Sequence, residues 1–262
     1  MENIDLGNLP KHIAIIMDGN RRWAKNNGLS TKEGHKAGSK NLDNIATFCN
    51  EIGIKYLTVY AFSTENWKRT KEEVSALMFI LKANLDSMLR KLDLKNIKIR
   101  VIGEKENIPS DIQKKIDKLV EKTKNNTGLV LNIAFNYGGR AELVHSTKII
   151  AEKVKSGEID IEDINEKLIS DNIYTAGQPD PDLMIRTSHE LRTSNFLPWQ
   201  LTYSEFYFPE KHWPEFGRED LIEAIKVYQK RNRRFGGRPD EVKKQWEEKE
   251  WFRELSCLQF SH

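Results

Sequence analysis

His12-Ile13-Ala14-Ile15-Ile16-Met17-Asp18-Gly19-Asn20-Arg21-Arg22-Trp23 is the stretch that decides the fold. Its first half is a short unbroken apolar run, which reads as a strand buried on both faces, the habit of parallel sheets. The run ends in a carboxylate, a glycine, an amide, two guanidinium groups and an indole. A carboxylate can hold a divalent metal. A glycine lets backbone N–H groups approach an anion, and arginines fork onto phosphate oxygens. A helix starting here would point its positive end at the same anion. An N-cap aspartate in a polar turn is the ordinary alternative. It accounts for Asp18-Gly19 but not for the Asn-Arg-Arg-Trp that follows, so the stretch predicts a metal–phosphate site at a strand end.

Outward from it, further apolar runs predict strands at Tyr56 to Phe62, Ile97 to Ile102, Val130 to Phe135, Leu183 to Arg186 and Phe206 to Phe208, the first being Ile13 to Met17. Helical periodicity predicts helices over Gly34 to Glu51, Lys71 to Leu92, Ser110 to Lys124, Arg140 to Lys155, Ile161 to Ile169 and Arg218 to Phe235. Alternating strands and helices predict an α/β fold with a parallel sheet covered on both faces. Right-handed crossovers then bring the strand C-termini to one edge, where ligands bind. The polar clusters obey this rule. Asp18, Ser63-Thr64-Glu65-Asn66-Trp67, Asn136 to Arg140, and Arg186-Thr187-Ser188 each follow a predicted strand.

The chain has 262 residues, enough for one α/β domain. Its net charge of +3 is too small to argue for nucleic acid, and its basic residues gather at two loops rather than along one face. Two cysteines, Cys49 and Cys257, lack metal spacing and a disulfide framework, which fits a reducing cytosol. The N-terminus has no apolar leader, and no run is long enough to span a membrane. The expected location is therefore cytoplasmic, with peripheral membrane contact left open. The segment from Tyr174 to Pro181 reads as a connector, and the chain beyond Gly237 as a charged helical tail carrying Trp246, Trp251 and Phe252.

Three other clusters carry chemistry. His35 lies between Gly34 and Gly38, beside Lys36, as a second wall for the first anion. Ser63, Thr64, Glu65, Asn66, Trp67 and then Arg69 supply hydroxyls, an amide, an indole and a cation. Arg186 and Arg192, six residues apart with Thr187, Ser188, Thr193 and Ser194 nearby, suit a second diphosphate. Glu205 begins an apolar strand and would be costly to bury unless paired or on a metal. The stripe Val74, Leu77, Met78, Leu81, Leu85, Met88 is either core or the wall of an apolar tunnel.

The segments His12 to Trp23, Gly34 to Gly38, Tyr60 to Trp67, Asn132 to Arg140, Asp182 to Ser188, Arg192 to Gln200 and Arg231 to Gly237 fall in the order and spacing of one family. The chain resembles the cis-prenyltransferases, most closely the bacterial undecaprenyl diphosphate synthases, from about residue 10 to 238. The resemblance implies a cis-prenyltransferase domain over 1–238, followed by the tail 239–262. It implies a six-stranded, mostly parallel sheet flanked by helices, and a homodimer. The implied activity is condensation of isopentenyl diphosphate with an allylic diphosphate, commonly farnesyl diphosphate, with magnesium required.

Carried onto this sequence, Asp18 would hold magnesium, with Glu205 completing the metal site. Gly19, Asn20, Arg21, Arg22, Trp23, Thr31 and His35 would surround the allylic diphosphate, with Ser63, Thr64, Glu65, Trp67 and Arg69 nearby. Asn66 would accept or relay the proton, a role that an amide fills poorly and would share with a phosphate oxygen or water. Arg186, Arg192, Thr193 and Ser194 would bind isopentenyl diphosphate. The chain departs from the family at Thr31, where arginine is usual, at His189, where glycine is usual, and at Thr193, where an apolar residue is usual. A short-chain enzyme and a weakly active partner subunit stand as alternatives to a long-chain polyprenyl synthase.

Overall fold

The computed structural model describes residues 4–91 and 95–231. Residues Met1–Gln229 group as one unit, and a second begins at Lys230. The expected boundary at 238, the basic residues Arg233 and Arg234, and the aromatic residues of the tail lie outside the described residues.

Six strands form one sheet: β1 (His12–Ile16), β2 (Tyr56–Ser63), β3 (Lys98–Ile102), β4 (Val130–Tyr137), β5 (Leu183–Arg186) and β6 (Glu205–Tyr207). Their order is β3-β4-β2-β1-β5-β6, and every pairing among the described residues is parallel. The helices are α1 (Asn20–Asn26), α2 (Thr31–Ile52), α3 (Lys71–Lys91), α4 (Ser110–Thr123), α5 (Gly139–Lys155), α6 (Glu166–Ser170) and α7 (Arg218–Gln229).

β1 has all five residues buried, as a strand with sheet neighbours on both sides and side chains packed over both faces must. Alternate side chains serve two cores. Ile13 and Ile15 join a large cluster with Leu57, Val59, Ile45, Phe48 and Ile225. Ala14 and Ile16 join a smaller one with Met184, Tyr137, Phe196 and Leu197. The α3 stripe lies on the large cluster: Met78, Leu85 and Met88 are buried in it, and Val74, Leu77 and Leu81 pack against it half-buried.

α2 begins at a capping box, in which Ser30 Oγ accepts from Glu33 N and Glu33 accepts from Ser30 N. It ends at Gly53, whose φ of 95° is left-handed. One expected helix differs. Over 161–169 the chain makes a 3-10 turn at Ile161–Asp163 and then the short α6. Asp160 and Asn165 each cap a separate start, so one helix cannot run through both. Among the described residues no helix is long and apolar enough to cross a membrane.

Because all strands run the same way, the segments after β1, β2, β4 and β5 meet at one edge. A cavity of about 350 Å³ opens among Tyr56, Lys98, Arg100, Val130 and Gln178, which belong to the strand starts and the connector, away from that edge.

Candidate active site

β1 and β5 are paired with Ile16 beside Arg186, so Asp18 projects just past the end of β1 next to the last residue of β5. Asp18 Oδ2 accepts from Arg186 Nη2 at 2.9 Å, and Oδ1 sits 3.0 Å from Arg22 Nη2. Oδ1 also accepts from Gly19 N at 2.7 Å. The Asp18 carbonyl accepts from Thr187 Oγ1 at 2.7 Å and Trp213 N at 2.9 Å, which fixes the backbone behind the carboxylate. Burial raises the Asp18 pKa, but the Arg186 hydrogen bond and charge, with Arg22 and Gly19 N, outweigh it and hold the carboxyl below its usual range.

Gly19 has φ of 100° and no room for a side chain. An added Cβ would meet Ser188 Oγ at 2.1 Å and His212 Nδ1 at 2.7 Å. Those two groups are themselves hydrogen-bonded at 2.8 Å. α1 follows at once; Asn20 Nδ2 donates to the Met17 carbonyl at 3.3 Å, while its buried Oδ1 finds no partner among the described residues. Gly38 of α2 passes directly against that amide.

Arg186 is the buried cation of the site, its side chain only 5% exposed. Besides Asp18, its Nη1 donates to Ser194 Oγ at 2.8 Å and to the Arg192 carbonyl, while Nε is buried with no partner among the described residues. The loop after β5 turns through Ser188 and His189, both at positive φ. Glu190 then bridges Arg22, at 2.7 Å, and Arg192. Both arginines hold its carboxyl below the usual range, Arg192 foremost.

The segment after β2 forms a 3-10 turn, Thr64–Lys68. Asn66 Oδ1 accepts from Ser63 N at 3.0 Å, so the amide oxygen caps the turn. Trp67 Nε1 donates to Asn136 Oδ1 at 2.6 Å, locking this turn to the end of β4. Glu65 Oε1 accepts from Asn195 Nδ2 at 2.8 Å; Asn195 Oδ1 accepts from Arg140 N, and its carbonyl accepts from Gly139 N. The loop after β5 is thus tied to those after β2 and β4. On the other side, Arg21 pairs with Glu73 of α3 at 3.2 Å. Burial lowers the pKa of His35 foremost, and the charges of Arg69 and Arg21 lower it further.

The structure therefore gathers Asp18, Gly19, Arg22, Arg186, Arg192 and Ser194 into one charge network. Arg21 and Arg69 bring their charge to bear on His35, whose ring they and burial favour neutral, and Ser63 to Trp67 form the turn after β2. Trp23 is half-buried on α1, Thr193 is half-buried in the β5 loop, and Thr31 is exposed on the first turn of α2. Glu205 does not join Asp18 within this chain. It stands beside Leu183 at the start of β6, about 10 Å along the strands from the Arg186 end. His212 and Trp213 went unread in the sequence, and Glu190 and Asn195, inside the stretch read as the second anion site, were given no role of their own. Glu190 had a readable signal, since an acid between two arginines is out of place in a loop expected to bind an anion.

The donor set suits one hard cation. Asp18 offers a carboxylate at the edge of the arginine cluster. Magnesium commonly takes only one or two carboxylates and fills its remaining positions with phosphate oxygens and water. Among the described residues no group of three His, Cys, Asp or Glu could hold a metal by itself, so a ligand's oxygens would have to share in holding it.

A family model for undecaprenyl diphosphate synthases matches residues 16–236. An isoprenyl transferase of Clostridium tetani is 51% identical over 234 residues, 89% of this chain and 92% of that protein. A farnesyl-diphosphate-specific ditrans,polycis-undecaprenyl-diphosphate synthase of Micrococcus luteus is 48% identical over 235 residues, 90% of this chain and 94% of its own. Among solved structures, lavandulyl diphosphate synthase from Lavandula x intermedia, in complex with dimethylallyl diphosphate, superposes with a TM-score of 0.82 at 37% identity, covering 87% of this chain and 98% of that one. A Campylobacter jejuni structure described as an undecaprenyl diphosphate synthase gives a TM-score of 0.73 at 34% identity, covering 87% and 99%.

Proposed function

Since the chain belongs to the undecaprenyl diphosphate synthase family of prenyltransferases, we propose that it condenses isopentenyl diphosphate with an allylic diphosphate, farnesyl diphosphate first, to build a polyprenyl diphosphate. The observation that carries this reading is the contact of Asp18 with Arg186, which joins two cationic cradles at one sheet edge. Condensation needs one diphosphate to leave, an alkene to attack the carbon it leaves, and one proton to be lost. Two adjoining anion sites place the two reactants for that attack.

In this reading Arg21, Arg22 and His35, with the Gly19 backbone, receive the allylic diphosphate and stabilise the charge that grows as it departs. Arg186, Arg192 and Ser194 receive isopentenyl diphosphate, and the orphaned Nε of Arg186 is a donor ready for it. Asp18 holds magnesium, which when bound neutralises the leaving diphosphate. Glu205 reaches a metal at Asp18 only from a second copy of the chain, which ties that expected ligand to the expected homodimer. Asn66 is a poor base, its Nδ2 only a donor and its oxygen already capping the turn at Ser63 N, so the proton passes to a phosphate oxygen or water. The prenyl chain lies against the half-buried Val74, Leu77 and Leu81 of α3 and leaves toward a membrane surface.

Purified protein given farnesyl diphosphate, labelled isopentenyl diphosphate and magnesium should yield butanol-extractable polymer whose length is read by chromatography. A folded protein that makes none is a partner subunit. The likeness to lavandulyl diphosphate synthase favours one second reading, a short or branched product, which the same assay separates by size.

A further inference from the structure

The Glu190 carboxylate occupies the space between arginines assigned to different diphosphates. Arg22 of α1 donates from Nη1 to its Oε1 at 2.7 Å, and Arg192 of the β5 loop donates to its Oε2. The other guanidinium nitrogen of Arg22 reaches Asp18, Asp18 reaches Arg186, and Arg186 donates to the Arg192 carbonyl. The result is a closed ring through both cradles. The chain reaches this position by placing two successive residues, Ser188 at φ 73° and His189 at φ 53°, in the left-handed region, which side chains other than glycine enter at a cost. Two carboxylate oxygens held by two guanidinium groups copy the acceptor pattern and negative charge of a diphosphate.

We propose that Glu190 is a built-in occupant of the anion space, displaced by the first diphosphate to arrive, so that filling one cradle readies the other. The inference rests on the two-diphosphate reading given above. The first anion must break the Glu190 bridge and repel its charge; the second finds the bridge already open. That difference is a coupling free energy between sites, and Glu190 is a positioning residue that carries it.

The test is calorimetric titration of the full chain with inorganic pyrophosphate, without metal, in the wild type and in Glu190→Gln, which keeps the side chain's size but not its charge. The wild type should bind two pyrophosphates, the second more tightly than the first after statistical correction. Glu190→Gln should bind the first about three- to tenfold more tightly, the range expected from losing two partly exposed ion pairs, and show no coupling. Damage to the loop would loosen binding, so tightening is not a sign of a merely structural role. Equal or weaker binding in the variant, with an unchanged circular dichroism spectrum, overturns the proposal. So does a wild type whose two sites bind independently, which needs no variant to fold. A wild type that ignores pyrophosphate overturns the two-diphosphate reading itself, and the gate with it.

Discussion

Arg186 and Asp18 close the gap between the ends of β5 and β1, with Nη2 of one 2.9 Å from Oδ2 of the other. The guanidinium side chain is 5% exposed and the carboxylate 28%. A cation buried that deeply is tolerable because a carboxylate, a hydroxyl and a carbonyl meet its nitrogens. The pair thus has a structural duty as well as a chemical one. In the proposed reading, Asp18 holds Arg186 in place for one substrate while belonging to the site of the other.

Asp18→Asn separates these duties. The amide keeps the shape but turns away the charge that balances Arg186, which should cost about 2 kcal/mol of stability. Activity should fall by at least about 100-fold, because a charge-stabilising group at the reaction centre is lost. The sign of the pH effect follows from the depressed pKa. Asp18 contributes stability above its unfolded value, and that contribution disappears as pH falls through the lower folded value. The stability gap between wild type and variant, measured by denaturant titration, should therefore narrow below about pH 4. A constant gap would show that the pair contributes nothing to folding.

Gly19→Ala should be among the most disruptive small substitutions. The new methyl would stand 2.1 Å from Ser188 Oγ at a residue whose φ is 100°. Either the left-handed turn or the Ser188–His212 pair must give way. A loss of about 2–4 kcal/mol is expected, read from the denaturant midpoint at constant slope. A shift under about 0.5 kcal/mol would mean that the β5 loop yields freely.

The sheet was readable because β1, β2, β4 and β5 are buried apolar runs, and the shared edge followed from crossover handedness alone. Asp18, Arg22, Arg186 and Arg192 were readable as charges gathered at strand ends, and the structure brings them into one network. What one dimension hid was pairing across distance. Nothing near Asp18 announces that Trp213 N binds its carbonyl, or near Glu65 that Asn195 holds its side chain. Where Glu205 stands relative to Asp18 was hidden for a related reason. Its place in the sequence suggested the site, but parallel register sets it at the entering end of β6. The broken helix over 161–169 shows local capping beating a periodicity that spans both segments.

His189 offers a contrast between two substitutions. Its side chain is exposed, its N donates to the Pro209 carbonyl at 2.9 Å, and its φ is 53°. Glycine removes the left-handed penalty but adds freedom to the unfolded chain, so His189→Gly should gain only about 0.5 kcal/mol. His189→Val should lose about 1 kcal/mol or more, since a branched side chain fits that region worst. Glycine should also lower KM for isopentenyl diphosphate by letting the backbone approach it. Equal melting temperatures for both variants would show that the turn is not strained; an unchanged KM would show that the loop accommodates the imidazole.

His12 gives the protein a second, separate response to acid. It is wholly buried, with Nδ1 2.7 Å from the Pro179 carbonyl and Nε2 2.7 Å from Thr58 Oγ1. A carbonyl only accepts, so Nδ1 carries the proton and Nε2 accepts from the Thr58 hydroxyl. That hydroxyl oxygen in turn accepts from Asn132 Nδ2 at 2.9 Å. A second ring proton would face the hydroxyl's own and break the chain. Burial, opposed by the Pro179 bond and Asp182, brings the pKa down to about 4. Between the unfolded value of 6.5 and about 4, the unfolded chain binds a proton that the native one refuses, so stability falls on acidification across that window. The loss amounts to about 3 kcal/mol at most. His12→Gln cannot gain a proton, so its stability should decline less steeply from pH 7 to pH 4 in denaturant titrations, whatever the offset in absolute stability. Parallel profiles for the two proteins would mean that His12 is already charged in the native state or finds a partner for its second proton.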